Sequence, residues 1–377
     1  MRVASAGAQA ISAERAAGFV ESGMWLDYGT SLCQPDVFDK ALGARIQAVT
    51  NVKIRHCLTM RPRAVLDADP EGRHVHGFSL HYSGYDRRQH DGGRCNYIPV
   101  NLGEIPDYYR RFIDPVDIVI LKTCPIDEGG YFNLSAANLW HRAIIERARM
   151  VIVETTRGLP YVYGEQTGVH VSEVDYVIEG DDAPAAELPN PPPTAIDCAV
   201  GRLIAAEIDD GDCLQIGIGG MPNAVCAILL ESGVRDLGVH TEMMTDGLAD
   251  LYKAGRITGA AKTLNPGKMI YTFALGSRDL YATVDRNRDM HCCPVDYTNA
   301  PHVIMQNDRL ISINNTTQID LQGQGHRSRT AIGTSAAQAD SCSSSVERMR
   351  HVAANHSSAC RPLTTSAASA AAGSCSI

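Results

Sequence analysis

The chain has 377 residues, of which 44% are apolar and 20% charged, so it is long enough to form two folded domains with complete cores. Its formal net charge of −9 argues against a nucleic-acid partner, which would require a basic face. No apolar run approaches the length of a membrane span, and Met1–Ala10 is too short and polar for a signal peptide. The 12 cysteines contain no CxxC pair, which favours reduced thiols in a cytoplasmic protein and no metal site.

Apolar strands alternate with amphipathic helices along the first part of the chain. This alternation is typical of an α/β domain with a largely parallel sheet. The predicted elements are a helix over Glu14–Val20 capped by Ser12, a strand Met24–Tyr28, a helix Pro35–Ala48, a strand Ile118–Thr123, a helix Ala136–Arg149 and a strand Met150–Glu154.

A proline cluster at Pro189–Pro193 then interrupts this pattern and is typical of an interdomain linker. The same alternation resumes after it, so we predict a fold of two α/β domains. Their expected bounds are 1–188 and 195–324, with a linker at 189–194. The second domain is predicted to contain a helix Ala195–Ile208, a strand Cys213–Ile218, a helix Asn223–Glu231 and a strand Leu237–Thr241.

The segment Gln215–Asp246 contains the residues that best fit a binding or catalytic site. Its glycine-rich turn precedes a helix whose first position suits Pro222, and free N–H groups at such a turn can hold an anion or a carbonyl oxygen. Glu242 follows a predicted strand and could act as a nucleophile beneath the turn. A βα turn with packing glycines and a surface glutamate is an equally good interpretation, because a glycine-rich turn is a weak motif.

Longer sequence motifs favour the interpretation as a functional site. GIGGMPNAV at 217–225, followed by GVHTEMMTDG at 238–247, resembles the acetyl-CoA hydrolase/transferase family, which includes CoA-transferases for acetate, butyrate and 4-hydroxybutyrate. The resemblance covers most of residues 10–324. It continues through Tyr163–Glu179, Leu264–Ser277 and Ile311–Gln324.

The resemblance implies two similar α/β domains of CoA-transferase type with the active site at their junction. It implies that Glu242 attacks the thioester of acyl-CoA and carries CoA as a glutamyl thioester. CoA is then a substrate, no tightly bound cofactor is needed, a short-chain carboxylate is the second substrate and a homo-oligomer is expected. The residues expected to bind CoA are Gly217, Ile218, Gly219, Gly220, Met221, Thr317 and Gln318.

Four further sites have weaker expected roles. His240 stands two residues before Glu242 on the same side of a predicted strand, and we interpret it as an orienting or buried histidine rather than a general base. The segment Tyr163–His170 is expected to line the carboxylate pocket or to form a turn. Lys262 and Lys268 could reach CoA phosphates, although a solvated lysine is the more common case.

Three hypotheses about function remain open at this stage. The first is a CoA-transferase acting through Glu242, and the second is an acyl-CoA hydrolase in which water resolves the glutamyl thioester. The third is an inactive product of a damaged gene. It arises because the family's second glycine loop, GTGGQ, has no counterpart in this sequence.

The composition changes after Gln324, where Ser and Ala dominate and Phe, Tyr and Trp are absent. Such a stretch cannot bury enough apolar surface to offset the cost of ordering, so 325–377 is predicted to be disordered. A frame slip offers a sharper explanation. Codons can be chosen for Cys342–Thr364 that encode, in a shifted frame, a sequence similar to the one the family carries just after its GTGGQ loop.

The frame slip makes a testable prediction about the gene. The encoding DNA should contain an open frame beyond the codon for Gln324 that supplies a GTGGQ-like loop and the rest of the second domain. Sequencing the gene tests this directly, and the absence of such a frame would show that the Ser/Ala-rich tail is native.

Overall fold

The computed structural model describes residues 7–315 and the backbone of two short antiparallel strands, Gln318–Ile319 and Gly325–His326. In the first half, strands and helices alternate as expected. The elements are β1 (Gln9–Ala10), α1 (Ala13–Ala17), β2 (Trp25–Thr30), α2 (Val37–Arg45), β3 (Val52–Cys57), α3 (Ala64–Asp67), β4 (Val75–Ser79), α4 (Gly84–Asp91), β5 (Cys95–Tyr97), α5 (Ile105–Arg111), β6 (Ile118–Thr123), β7 (Tyr131–Asn133), α6 (His141–Arg147), β8 (Met150–Thr155), β9 (Tyr163–Gly164), β10 (Gly168–His170) and β11 (Tyr176–Glu179).

Eight of these described strands form one parallel sheet in the order β1-β11-β8-β6-β2-β3-β4-β5. The chain moves outward from β2 to β5 on one side and from β6 to β11 on the other. The strand order therefore reverses between β2 and β6, where α/β proteins commonly bind ligands beyond the carboxyl ends of the strands.

At this reversal the protein's own charged side chains fill the crevice. The buried carboxylate of Glu154, on β8, accepts hydrogen bonds from the backbone N–H groups of Asp36, Val37 and Phe38 at 2.9–3.0 Å. These are the free N–H groups at the start of α2, which would otherwise attract an anion. Lys122 donates to Asp36 at 2.7 Å beside them.

The second half contains shorter strands and several sheets. Its elements are α7 (Ala195–Ala205), β12 (Cys213–Ile216), α8 (Gly220–Glu231), β13 (Gly238–Val239), β14 (Met243–Met244), α9 (Asp246–Lys253), β15 (Met269–Tyr271), β16 (Phe273–Ala274), α10 (Arg278–Val284), β17 (Met290–Cys292), α11 (Val295–Thr298), α12 (Pro301–Ile304) and β18 (Leu310–Ile313). The pairs β12–β13, β12–β18, β14–β16 and β15–β17 are all parallel.

One hydrophobic core joins the two halves. One face of the eight-stranded sheet packs on helices within the first half, with Leu26 and Phe38 in that cluster. The other face belongs to a cluster that extends from Leu121 and Trp140 into the second half, where it includes Leu214 and Met244. The α/β fold is therefore built around a continuous apolar junction.

A strand of the first half also pairs with a strand of the second. β9 lies parallel to β17, with Tyr163 opposite His291 and Gly164 opposite Cys292. The expectation that Tyr163–His170 lines the substrate pocket does not match this placement. Tyr163 and Gly164 pair with a strand of the second half, and Gly168–His170 pairs with β7.

Several predicted elements have different bounds in the structure. The helix expected over Ala136–Arg149 spans only His141–Arg147, because the chain before it bonds to the second half instead. There Asn138 N donates to Thr272 O, and Ala274 N donates to Ala136 O. The helix expected over Pro35–Ala48 is α2 followed by one tighter turn at Ile46–Ala48. In the second half, β12 ends at Ile216 and β13 covers only Gly238–Val239.

The segment 180–194 contains no helix or strand and connects the halves. Part of it is held on both sides, since Ala185 N donates to Gly158 O and Leu188 N donates to Gly276 O. The domain boundary at 189–194 stays a prediction. Apart from the backbone of Gly325–His326, the predicted tail 325–377 lies outside the described residues.

The crossing strand predicts a stability effect at Gly164. Its φ is 148°, and a Cβ there would collide with the carbonyl of Cys292. Gly164→Ala should therefore lower the free energy of unfolding by about 1–3 kcal/mol, as overpacking does in cores. Urea unfolding followed by circular dichroism measures this.

Gly233→Ala is the matched control, because a Cβ at Gly233 meets open space. It should change stability by less than about 0.5 kcal/mol. Equal stability of the two variants would contradict the close strand contact.

Candidate active site

A cavity of about 490 Å³ lies where the two halves meet. Its wall in the first half comes from the residues after β3 and from the start of α4. Its wall in the second half comes from the ends of β12 and β18 and from the chain around β14. The lining includes Leu58, Met60, His81 and Arg87 from the first half, and Gly217, His240, Glu242, Phe273 and Asn299 from the second.

The glycine turn divides into a part that faces the cavity and a part that starts a helix. Gly217 and Ile218 line the cavity. Gly219 precedes α8 with a φ of 119°, a conformation that favours glycine. Gly220 and Met221 form the first turn of α8 and lie outside the cavity lining. Pro222 is therefore the third helical residue, not the first.

Two asparagines after β18 hold the glycine turn in place. Asn315 Nδ2 donates to Ile218 O at 3.1 Å, and Asn314 Nδ2 donates to Gln215 Oε1 at 2.8 Å. A Cβ on Gly219 would lie 2.8 Å from Asn315 Nδ2. The positive φ already favours glycine here, and a Cβ would in addition displace the Asn315 amide from its place against the turn. Both asparagines line the cavity, and the sequence motifs did not single them out.

Two predicted CoA-binding residues follow these asparagines. Thr317 lies outside the described residues. Gln318 begins a two-residue strand paired with Gly325–His326, and only its backbone is described.

Glu242 lies at a bend between β13 and β14, where its half-buried side chain reaches the cavity. Its backbone is fixed because Thr272 N donates to Glu242 O at 2.9 Å, and Thr241 N donates to Ile270 O at 2.9 Å. Its carboxylate is oriented by Asn299, whose Nδ2 donates to Oε2 at 2.7 Å. A carboxylate held by a neutral amide at a cavity wall is suited to nucleophilic attack on a bound carbonyl.

His240 positions the segment that carries Asn299. Its Nε2 lies 2.8 Å from Thr298 O, and because a carbonyl can only accept, Nε2 carries the proton. Its Nδ1 accepts from Asn307 Nδ2 at 3.4 Å. Burial lowers the pKa of His240 to about 4, so the ring is neutral near pH 7. Both ring nitrogens are engaged, which favours the orienting role over a general base.

The two candidate phosphate-binding lysines have structural partners. Lys262 is buried, and its Nζ donates to Val239 O at 2.9 Å and to Lys268 O at 2.7 Å. Burial lowers the pKa of Lys262 to about 8. The expectation of a solvated or phosphate-binding Lys262 is therefore wrong, because its amine bridges two backbone segments. Lys268 Nζ donates to Arg288 O at 2.7 Å.

Neither a metal centre nor a membrane-spanning helix is found in the part of the chain that the structure describes. Its His, Cys, Asp and Glu side chains form no group of three or more that could hold a metal ion. Its helices are all too short or too polar to cross a bilayer.

The buried His240 predicts a pH dependence of stability. Between pH 4 and pH 6.5 the unfolded chain binds a proton at this histidine that the folded chain does not. The free energy of unfolding therefore falls as the pH falls through this range. Replacing the histidine, as in His240→Gln, should reduce the loss between pH 7.5 and pH 5 by about 1–2 kcal/mol.

Urea unfolding at both pH values measures this difference. His302→Gln is the control, because His302 is exposed, and it should leave the pH dependence unchanged. A wild-type slope in His240→Gln would show that His240 is not held neutral.

Comparison with known proteins identifies the family. Residues 7–189 match the acetyl-CoA hydrolase/transferase N-terminal domain, and residues 276–373 match the C-terminal domain of the same family. The second match extends past Gly325, and the frame slip stays a prediction.

Two relatives and two solved structures illustrate the similarity. The chain is 40% identical to butyryl-CoA:acetate CoA-transferase of Anaerostipes caccae over 315 residues, covering 83% of this chain and 71% of that protein. It is 37% identical to succinyl-CoA:cyclohexane-1-carboxylate CoA transferase of Geobacter metallireducens, covering 82% and 69%.

RipA from Yersinia pestis superposes with a TM-score of 0.80 at 30% identity, covering 92% of this chain and 79% of that one. A 4-hydroxybutyrate CoA-transferase from Porphyromonas gingivalis superposes with a TM-score of 0.71 at 30% identity, covering 85% and 76%. On the strength of both domain matches and the 40% identity, this chain belongs to the acetyl-CoA hydrolase/transferase family.

Proposed function

We propose that this chain transfers CoA between a short-chain acyl-CoA and acetate or a similar carboxylate, with Glu242 as the nucleophile. The observation that carries the proposal is the position of Glu242 in a cavity between the two halves, with its carboxylate oriented by Asn299 at 2.7 Å. The named activities of the relatives, which include butyryl-CoA:acetate CoA-transferase, support this choice of substrates.

The proposed reaction consists of four acyl displacements in which the Glu242 carboxylate carries the intermediates. Glu242 attacks the thioester carbonyl and expels the CoA thiolate, which leaves an acyl-glutamyl anhydride. The thiolate then attacks the glutamyl carbonyl, releases the first carboxylate and forms a glutamyl-CoA thioester. The acceptor carboxylate then attacks the glutamyl thioester and expels the CoA thiolate, which leaves a second anhydride. The thiolate attacks the acceptor's carbonyl in that anhydride and releases the new acyl-CoA. Glu242 returns as a free carboxylate, and no net proton transfer is required.

The cavity walls fit these displacements. Gly217 and Ile218 line the cavity. Because the Gly217 N–H donates to Ile313 O at 2.9 Å, the N–H of Ile218 is the donor of this pair that we propose for an oxyanion. Leu58, Met60 and Phe273 supply apolar surface for an acyl chain. The same apolar surface limits the access of water to the intermediates.

Hydrolysis is the competing outcome of the same intermediate. A hydrolase would release free CoA from the glutamyl thioester without a carboxylate acceptor, whereas a transferase requires the acceptor. The two activities are separated by incubating butyryl-CoA with and without acetate and measuring both acetyl-CoA, which only transfer forms, and free CoA, which only hydrolysis releases. We expect exchange with acetate to exceed acceptor-independent CoA release.

Substitution of Glu242 tests the mechanism. Glu242→Ala should abolish exchange, and Glu242→Asp should retain little activity, because displacing a reacting atom by about 1 Å can cost on the order of a hundredfold in rate. Incubation with acyl-CoA followed by hydroxylamine or borohydride should modify one peptide, which contains Glu242. Mass spectrometry identifies it.

Glu231→Ala is the matched control, since Glu231 lies at the exposed end of α8. It should leave exchange and labelling unchanged. Full exchange by Glu242→Ala would overturn the mechanism. A folded wild-type chain that neither exchanges nor is labelled would instead favour the damaged-gene hypothesis.

A further inference from the structure

We propose that Arg87 binds an anionic group of the substrate, either a phosphate of CoA or the distal carboxylate of a dicarboxylic acyl group. This inference rests on the CoA-transferase function proposed above and names a specificity-determining residue on the wall opposite Glu242. Three features support it, namely the charge of the cavity, the partners of Arg87 and the hydrogen bonds that hold its helix.

Arg87 is the single Lys or Arg side chain among the described residues that line the cavity. Its side chain is exposed, and within the described part of the chain it forms no ion pair with a carboxylate. Its Nη1 has a long contact of 3.5 Å with Tyr82 O. Most of its five N–H donors are therefore available to a ligand, and a guanidinium binds phosphates and carboxylates through paired hydrogen bonds.

The backbone that carries Arg87 is held firmly. Ser83 caps α4, with Asp86 N donating to Ser83 Oγ at 3.2 Å and Ser83 N donating to Asp86 Oδ2 at 2.9 Å. Asp86 is fully buried, and the same Oδ2 accepts from Thr59 N at 3.4 Å in the loop after β3. This carboxylate therefore fixes α4 against the loop that supplies Leu58 and Met60 to the cavity.

Arg87 is a better candidate for binding an anion than the backbone of α4 or the neighbouring His81. Of the N–H groups at the start of α4, that of Asp86 donates to Ser83 Oγ and that of Arg87 donates to Ser83 O, so these two are not available to an anion. Burial lowers the pKa of the neighbouring His81 to about 4, with a further contribution from the charge of Arg87. His81 is therefore neutral near pH 7, and Arg87 is the cation that this wall presents.

The position of Arg87 fits the needs of the proposed substrates. The thioester must lie at Glu242, and the apolar residues Leu58 and Met60 of the first-half wall suit uncharged parts of the ligand. An anionic group of the same substrate needs a cation elsewhere in the cavity. Arg87 meets that need, and its flexible side chain can follow the ligand while its backbone stays in place.

The test compares Arg87→Gln with Arg88→Gln. Arg88 is the adjacent exposed residue on α4; its guanidinium lies over the ring of Tyr85, and it does not line the cavity. The dissociation constants of CoA and pantetheine are measured by calorimetry, and KM is measured for butyryl-CoA and succinyl-CoA with acetate as acceptor. Because binding of CoA requires no turnover, a failure of the transferase proposal is distinguished from a failure of this one.

If Arg87 binds a phosphate, Arg87→Gln should weaken CoA binding by about tenfold and raise KM for both acyl-CoAs, with pantetheine binding unchanged. If it binds the distal carboxylate, KM should rise for succinyl-CoA alone. In either case kcat should change little, because a contact made equally in the ground and transition states affects KM.

Arg87→Lys keeps the charge and should recover part of the lost affinity, which a purely structural role would not explain. Arg88→Gln should behave like the wild type in every assay. Unchanged binding and KM in Arg87→Gln would overturn the proposal. So would equal weakening of CoA, pantetheine and both acyl-CoAs, since that pattern involves no anionic group.

Discussion

The apolar junction between the two halves is the constraint on which the rest of the structure depends. Glu242 and Arg87 belong to different halves, and their separation across the cavity is fixed only while that core remains packed. The crossing strand β9 adds backbone hydrogen bonds to the same junction. An acyl transfer needs its reacting groups held to within about 0.5 Å, so rigid packing at this interface is part of the chemistry.

The structure also explains why the cavity lies at the junction and not in the crevice of the large sheet. At the reversal between β2 and β6 the start of α2 would suit an anionic ligand, but Glu154 occupies it. Burial raises the pKa of Glu154, while the three backbone N–H groups oppose that change by favouring the charged form. The protein thus supplies its own anion there. Only a small cavity of about 10 Å³ is left beside Asp36 and Lys122, compared with about 490 Å³ in the gap between the halves.

The sequence predicted most of the α/β alternation and part of the site, for identifiable reasons. Continuous apolar runs such as Ile118–Thr123 specify a buried strand locally, and that strand has the predicted bounds. The helix predicted over Ala136–Arg149 is too long because the residues at its start bond to the second half. No local sequence pattern reveals such bonds. Glu242 could be singled out from the sequence because it lies in a recognisable motif, GVHTEMMTDG. Asn299 could not be found in this way, because it lies 57 residues later and a single asparagine has no motif.

The nucleophile role proposed for Glu242 requires its carboxylate to act as both nucleophile and leaving group. A cation paired to the carboxylate would strengthen its hydrogen bonds and stabilise the charge that must be lost when the anhydride forms. Asn299 orients the same oxygen with a neutral donor, and His240, which holds the adjacent Thr298, is itself uncharged near pH 7. These two neighbours therefore help to position the carboxylate without placing a positive charge beside it. Neutral hydrogen bonds of this kind can remain in place while negative charge leaves the carboxylate and returns, as the mechanism proposed for Glu242 requires.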